Sequence, residues 1–189
     1  MKGIAFETIP VNLVKGEQSS ATYADLNPAK AVPTLVTDDG LVLTQSLAIM
    51  DYLEGIAPTP ALLPSDAALR ARVLAATLVL ASDVHPVNNL RITKQLKAMG
   101  HSQDDCTEWM QHWMAEGFTA FQALIDPATP FCFGDAPTYA DICLIPQLYN
   151  AHRWGLDLTP FTRLTDIEAR CLAFKPFDAA RPENQPDAG

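Results

Sequence analysis

Two short stretches carry groups able to hold a ligand. Pro33 stands where the run Thr34-Leu35-Val36-Thr37 begins, so it withdraws one ladder donor and frees the N–H and C=O of Val32 to pair with an extended peptide. Gln45-Ser46 opens an amphipathic helix with Leu47, Met50, Leu53 and Ile56 on one side. Ser46 thus falls among unpaired N–H groups at a positive helix end, a setting for a carboxylate. Together they suit a short acidic peptide. The same residues also fit a plain X-Pro strand start and a serine N-cap, and the sequence leaves both readings open. His101, Cys106 and His112 can be drawn as a metal set, but their spacing fits no compact site on a helix, and a solvated face is expected instead. Neither a glycine-rich phosphate loop, nor H-E-x-x-H, nor G-x-S-x-G occurs.

The elements that must position these groups follow from periodicity and turn residues. Ile9, Val11 and Leu13 alternate as in a half-buried strand; Lys15 to Ser20 is a polar loop, Tyr23 to Leu26 one helical turn, and Asn27-Pro28 its stop. Thr34–Thr37 and Leu41–Thr44 flank Asp38-Asp39-Gly40, a β-hairpin. Ala57 to Pro64, with its three prolines, reads as a linker. From Ser65 the period turns helical. Leu69, Val73, Ala76 and Leu80 mark a first helix that must kink or break at Pro86 and so expose His85, Asn88, Asn89 and Arg91. A second helix spans about Gln103 to Ile125, with Met110, Met114, Phe118, Phe121 and Ile125 as a packing stripe. Thr138 and Asp141 have capping-box spacing, so Asp141 is expected to be structural, and the apolar Ile142, Leu144, Ile145, Leu148 and Tyr149 predict a central buried helix. A last helix covers roughly Arg163 to Phe174, and Lys175 to Gly189 is expected to be extended.

Composition narrows the class. Hydrophobic residues make up 48% and charged ones 19%, while a net charge of −9 argues against nucleic acid or an acidic membrane as partner. The longest apolar run, Val73 to Ala81 apart from Thr77, is far short of a membrane span, and Glu7 and Pro10 interrupt any signal-peptide core. Four cysteines without C-x-x-C spacing point to reduced thiols in a cytoplasmic protein.

In this order the pieces resemble the zeta class of glutathione transferases, of the maleylacetoacetate isomerase type. The resemblance rests on Pro10-Val11-Asn12-Leu13, Asn27-Pro28, Val32-Pro33-Thr34-Leu35, Gln45-Ser46-Leu47-Ala48-Ile49, Leu62-Leu63-Pro64, Pro86 to Arg91, Ala140 to Gln147 and Gln185-Pro186-Asp187. It implies an α/β plus all-α fold: a truncated thioredoxin-like glutathione-binding domain over 1–57, a linker over 58–64, and an all-helical domain over 65–189. A homodimer, glutathione as cofactor and a small acidic substrate are implied with it. Matched by position, Val32 before a cis Pro33 would pair with the cysteinyl backbone of glutathione, Gln45 and Ser46 would hold its γ-glutamyl end, and Gln18 would reach its glycyl end. His85 and Asn89 would also contact glutathione, and Arg91 and Arg170 would face the substrate. The implied activity is glutathione-dependent cis–trans isomerisation of maleylacetoacetate to fumarylacetoacetate in aromatic amino-acid breakdown. A maleylpyruvate isomerase or general glutathione transferase is the alternative enzyme, and a noncatalytic dimerisation or binding module the alternative of another class. The family's opening strand and helix, with a Ser-Ser-Cys-type motif and an Arg, have no counterpart ahead of Lys2-Gly3-Ile4, so no catalytic residue is assigned. On this reading residues 1 to about 26 are expected to be mobile and Ala31 to Ile56 docked.

Overall fold

A computed structural model describes residues 1–185, and the chain divides into two compact units, Met1–Ala61 and Leu62–Gln185. The Pro186-Asp187 part of the tail motif lies outside the described residues.

In the first unit a 3₁₀ turn, Glu17–Ser19, leads into α1, Ala21–Leu26, whose N-cap Ser20 accepts from the Tyr23 N–H. The hairpin forms as the turn residues require. β1, Thr34–Val36, pairs antiparallel with β2, Val42–Thr44, in the register Thr34 to Thr44, and Gly40 takes a positive φ of 86° at the turn. Helix α2, Ser46–Ile56, follows directly. Its N-cap is Gln45, so the serine expected to cap the helix is instead its first residue. The strand expected over Ile9 to Leu13 is not formed: residues 1–12 hold no regular structure, and Ile9 is exposed. Alternation alone cannot make a strand without a neighbouring edge to pair with. The N-terminal stretch is nevertheless tied down, because the Lys2 ammonium donates to the Pro60 carbonyl and pairs with Glu54, both at 2.6 Å.

The second unit carries the core. α3, Ala67–Leu78, runs on through a π-helical segment, Val79–Val84, into the short α4, His85–Val87. The wider winding lets the His85 N–H reach the Leu80 carbonyl just ahead of Pro86, so the helix passes the proline and ends at Asn88 rather than breaking before it. Asn88 is buried, against the expected exposure. α5, Leu90–Ala98, is an additional helix that the sequence reading did not separate, capped by Asn89. α6, Gln103–Leu124, sends Met110, Met114, Phe118 and Phe121 into the core, with Ile125 just past its end. α7, Tyr139–Arg153, buries Leu144, Leu148 and Ala151, while Ile142, Ile145 and Tyr149 are half-buried; it is a core helix on one face, not all round. α8, Thr162–Leu172, adds Leu164, Ile167 and Cys171. As far as residue 185 the tail is not extended, since Lys175–Ala179 forms α9 and Pro182–Asn184 a 3₁₀ turn.

Asp141 holds the loop that precedes α7. Its fully buried carboxylate accepts the N–H of Cys132 (2.9 Å) and both the N–H (2.7 Å) and hydroxyl (2.9 Å) of Thr138, the structural role its spacing implied. The Arg163 guanidinium closes the same loop from α8 by donating to the carbonyls of Asp126, Thr129 and Phe131.

The π-helical segment meets α6 at Gly117, where an added Cβ would sit 2.0 Å from Val84 Cγ2. In an open helix Gly→Ala gains about 1 kcal/mol. Here overpacking costs about 1–3 kcal/mol and wins. Gly117→Ala is therefore expected to lower the urea midpoint, and Val84→Ala in the same chain to recover part of that loss; a stabilised single variant would contradict the close contact.

Candidate glutathione site

In the first unit the backbone at Val32 is shaped by two side chains. Asn27, 3% exposed and the one buried residue of Met1–Ala61, donates through Nδ2 to the Ala31 carbonyl (2.6 Å) and to Thr34 Oγ1 (3.3 Å), and accepts the Ala29 N–H (3.1 Å). The Tyr23 hydroxyl also donates to Ala31 C=O (2.8 Å) and lies 2.9 Å from Thr34 Oγ1. Both flanks of Val32-Pro33 are thus fixed, and that peptide bond is cis, as the resemblance implied. Val32 is 43% exposed, and among the described residues nothing hydrogen-bonds to its N–H or C=O.

Thr34 and Thr44 are the last register partners of the hairpin, with Val32 two residues before the one and Ser46 two residues after the other. Gln45 has φ 71° and ψ 119°, a backbone state that costs a non-glycine residue on the order of 1–3 kcal/mol. It turns β2 abruptly into α2. The N–H groups of Ser46, Leu47 and Ala48 then start the helix without a side-chain cap. A strand edge and an uncapped helix end are the two features that bind a peptide backbone and its terminal carboxylate. Gln18, in the 3₁₀ turn, has a buried Oε1 without a partner among the described residues.

The other sequence-derived candidates belong to the second unit. His85 lies at the junction of the π-helical segment and α4. Although its side chain is exposed, desolvation of the ring by its surroundings, and then the positive charge of Arg91, lower its pKa below the usual histidine value of 6.5. Asn89 Oδ1 accepts the Arg91 N–H (3.1 Å) as the α5 cap, which leaves its amide nitrogen available. Arg91, at the start of α5, and Arg170, near the end of α8, are exposed and make no ion pair among the described residues. Arg170 borders a hollow of about 410 Å³ with Asp166, Ala169 and Ala173. His101, Cys106 and His112 do not converge, since Cys106 is buried against the Thr93 carbonyl while both histidines are exposed.

Asn27 and Tyr23 escaped the sequence reading. Asn27-Pro28 was legible as a helix stop, but nothing local signals that its side chain reaches four and seven residues onward.

A two-strand hairpin with a cis proline and uncapped helix, preceding a helical unit, is the architecture of a glutathione-binding protein class. Residues 1–56 match the glutathione S-transferase N-terminal domain and residues 107–177 the glutathione S-transferase C-terminal domain. The maleylacetoacetate isomerase of Pseudomonas aeruginosa is 39% identical over 99% of this chain and 89% of its own length. A solved zeta-class maleylpyruvate isomerase aligns with TM-score 0.95 at 39% identity, covering 100% of this chain and 90% of its own. The maleylacetoacetate isomerase of Anaeromyxobacter dehalogenans, solved with dicarboxyethyl glutathione and citrate in its active site, aligns with TM-score 0.87 at 40% identity over 100% and 87%. The chain belongs to the glutathione S-transferase family, within its zeta class.

The lowered His85 pKa sets a pH dependence. The folded state holds the ring neutral while the unfolded chain still protonates near 6.5, so stability is full above that value and declines as pH falls through it toward the folded pKa. Urea midpoints between pH 7.5 and 5.5 are expected to fall less steeply in His85→Gln than in the parent; equal slopes would contradict it.

Proposed function

We propose that this chain binds glutathione and uses it to isomerise a small cis-unsaturated diacid, maleylacetoacetate, to its trans form, as a cytoplasmic homodimer. The observation that carries the reading is the free backbone pair of Val32 two residues ahead of β1, together with the uncapped start of α2 that follows β2. Val32 pairs with the cysteinyl amide of glutathione, Ser46 with Gln45 receives the γ-glutamyl carboxylate, and Gln18 reaches the glycyl end, where its unpartnered Oε1 accepts the glycyl N–H. His85 and Asn89 supply further polar contacts, and Arg91 and Arg170 bring guanidinium donors for the substrate carboxylates. The glutathione-binding part corresponds to 1–57 and the substrate-facing part to the helical domain.

Bound glutathione supplies a thiol whose reversible addition to the activated double bond allows rotation before elimination. The chain's own cysteines do not offer this chemistry. Burial pushes Cys143 up to about 11 and Cys171 up to about 12, burial and then Asp141 raise Cys132 further, and Cys106 has no exposed surface. The relative with bound dicarboxyethyl glutathione carries a two-carboxylate group on glutathione, the pattern two arginines would recognise.

Glutathione at about 100 times its dissociation constant is expected to stabilise the chain by about 2.7 kcal/mol. Ser46→Ala is expected to weaken binding by about tenfold, the worth of one hydrogen bond to a charged group. Turnover of cis substrate should require glutathione, with kcat/KM for maleylacetoacetate above that for maleylpyruvate. The reverse ratio would reassign the substrate, binding without turnover would favour a binding module, and neither binding nor turnover would overturn the reading.

A further inference from the structure

The outer face of α6 takes no part in the site above. Asp105, Trp109 and Trp113 recur every four residues and form one stripe, with Glu108 and His112 beside it. With Leu96 of α5 and His101 they line a hollow of about 450 Å³, within the range of small-molecule sites.

Its aromatic wall is fixed in place. The Trp109 indole N–H donates to the Val87 carbonyl at 2.8 Å, and Trp113 stands edge-on to it with ring centroids 5.8 Å apart. The His112 ring also stands edge-on to Trp113, with centroids 5.0 Å apart. Trp113 is nonetheless 37% exposed, and the cation held over a ring in this structure is Arg72 over Phe133, so among the described residues no protein cation occupies either tryptophan face. The acidic wall is charged. Asp105 is kept below the usual carboxylate range, first by the Ser102 N–H and then by the Ser102 hydroxyl, with His101 3.6 Å away. Glu108 is exposed, and its carboxylate makes no hydrogen bond or ion pair among the described residues.

Tryptophan faces attract cations through the ring quadrupole, and a free carboxylate beside them adds a counter-charge. The same carboxylates repel a diacid, so this hollow selects the opposite charge class from the proposed substrate. We propose that it binds an organic monocation of the alkylammonium class, with the ammonium head over Trp113 and Glu108 as its counter-ion.

The test uses the intact chain, ¹⁵N-labelled, with its three tryptophan indole signals followed at constant ionic strength. Choline is the probe and 3,3-dimethylbutan-1-ol its neutral isostere. Choline is expected to shift the Trp113 and Trp109 signals saturably and leave Trp154 in place, with the alcohol about tenfold weaker. Glu108→Gln is expected to weaken choline by about threefold. Trp113→Leu should abolish the Trp109 shift, and Trp113→Tyr, which keeps an aromatic face, should restore it. Equal binding of the alcohol, unsaturable shifts of all three indoles, or a Trp109 titration unchanged in Trp113→Leu would overturn the proposal.

Discussion

Every amide and carbonyl taken out of water must find a partner, and in this chain two side chains meet that demand where the backbone cannot. Asp141 does so for the Cys132 and Thr138 amides ahead of α7, and Asn27 for the loop that carries Val32. Both are buried polar residues surrounded by their hydrogen-bond partners, and removing either leaves a group unpaired at a cost of about 1–3 kcal/mol. The backbone groups that remain unpaired, at Val32 and at the start of α2, are exposed, so water satisfies them until a ligand does. The proposed glutathione site is in this sense the remainder of the same accounting.

The two units meet the demand of burial very differently. The helical unit places whole side chains of α3, α6, α7 and α8 out of water, and each such aliphatic or aromatic side chain contributes roughly 1.5–3 kcal/mol. In Met1–Ala61 no apolar side chain is fully buried, and Phe6, Ile9, Val36, Leu41 and Val42 face outward. That unit depends more on local hydrogen bonding than on a core.

How far the sequence could be read follows from how local each signal is. The hairpin, α2, the α6 stripe and the Thr138-Asp141 box are set by residues within a few positions of one another, and all were legible. The missing strand at Ile9 to Leu13 and the shaped tail depend on what lies alongside, which alternation does not encode. Pro86 announced a disturbance, but the remedy, a stretch of π winding, is a tertiary choice. At the proposed site, Val32 and Ser46 were visible as an opening proline and a helix start; the roles proposed for His85, Arg91 and Arg170 rest on resemblance, and the Asn27 clamp on neither.

The π winding of Val79–Val84 also fixes a bearing. An α-helix turns about 100° per residue, and a segment bonded to the fifth residue back turns less. The direction in which His85 and everything beyond it faces is therefore a matter of phase, set by how many residues lie in the segment as much as by which they are. A one-residue deletion that restored ordinary winding would keep both the Val73 and Ala76 face of α3 and the bearing of His85, whereas ordinary winding without the deletion would swing His85 by roughly 100° about the axis. Length in this segment carries information of a kind that no side chain does.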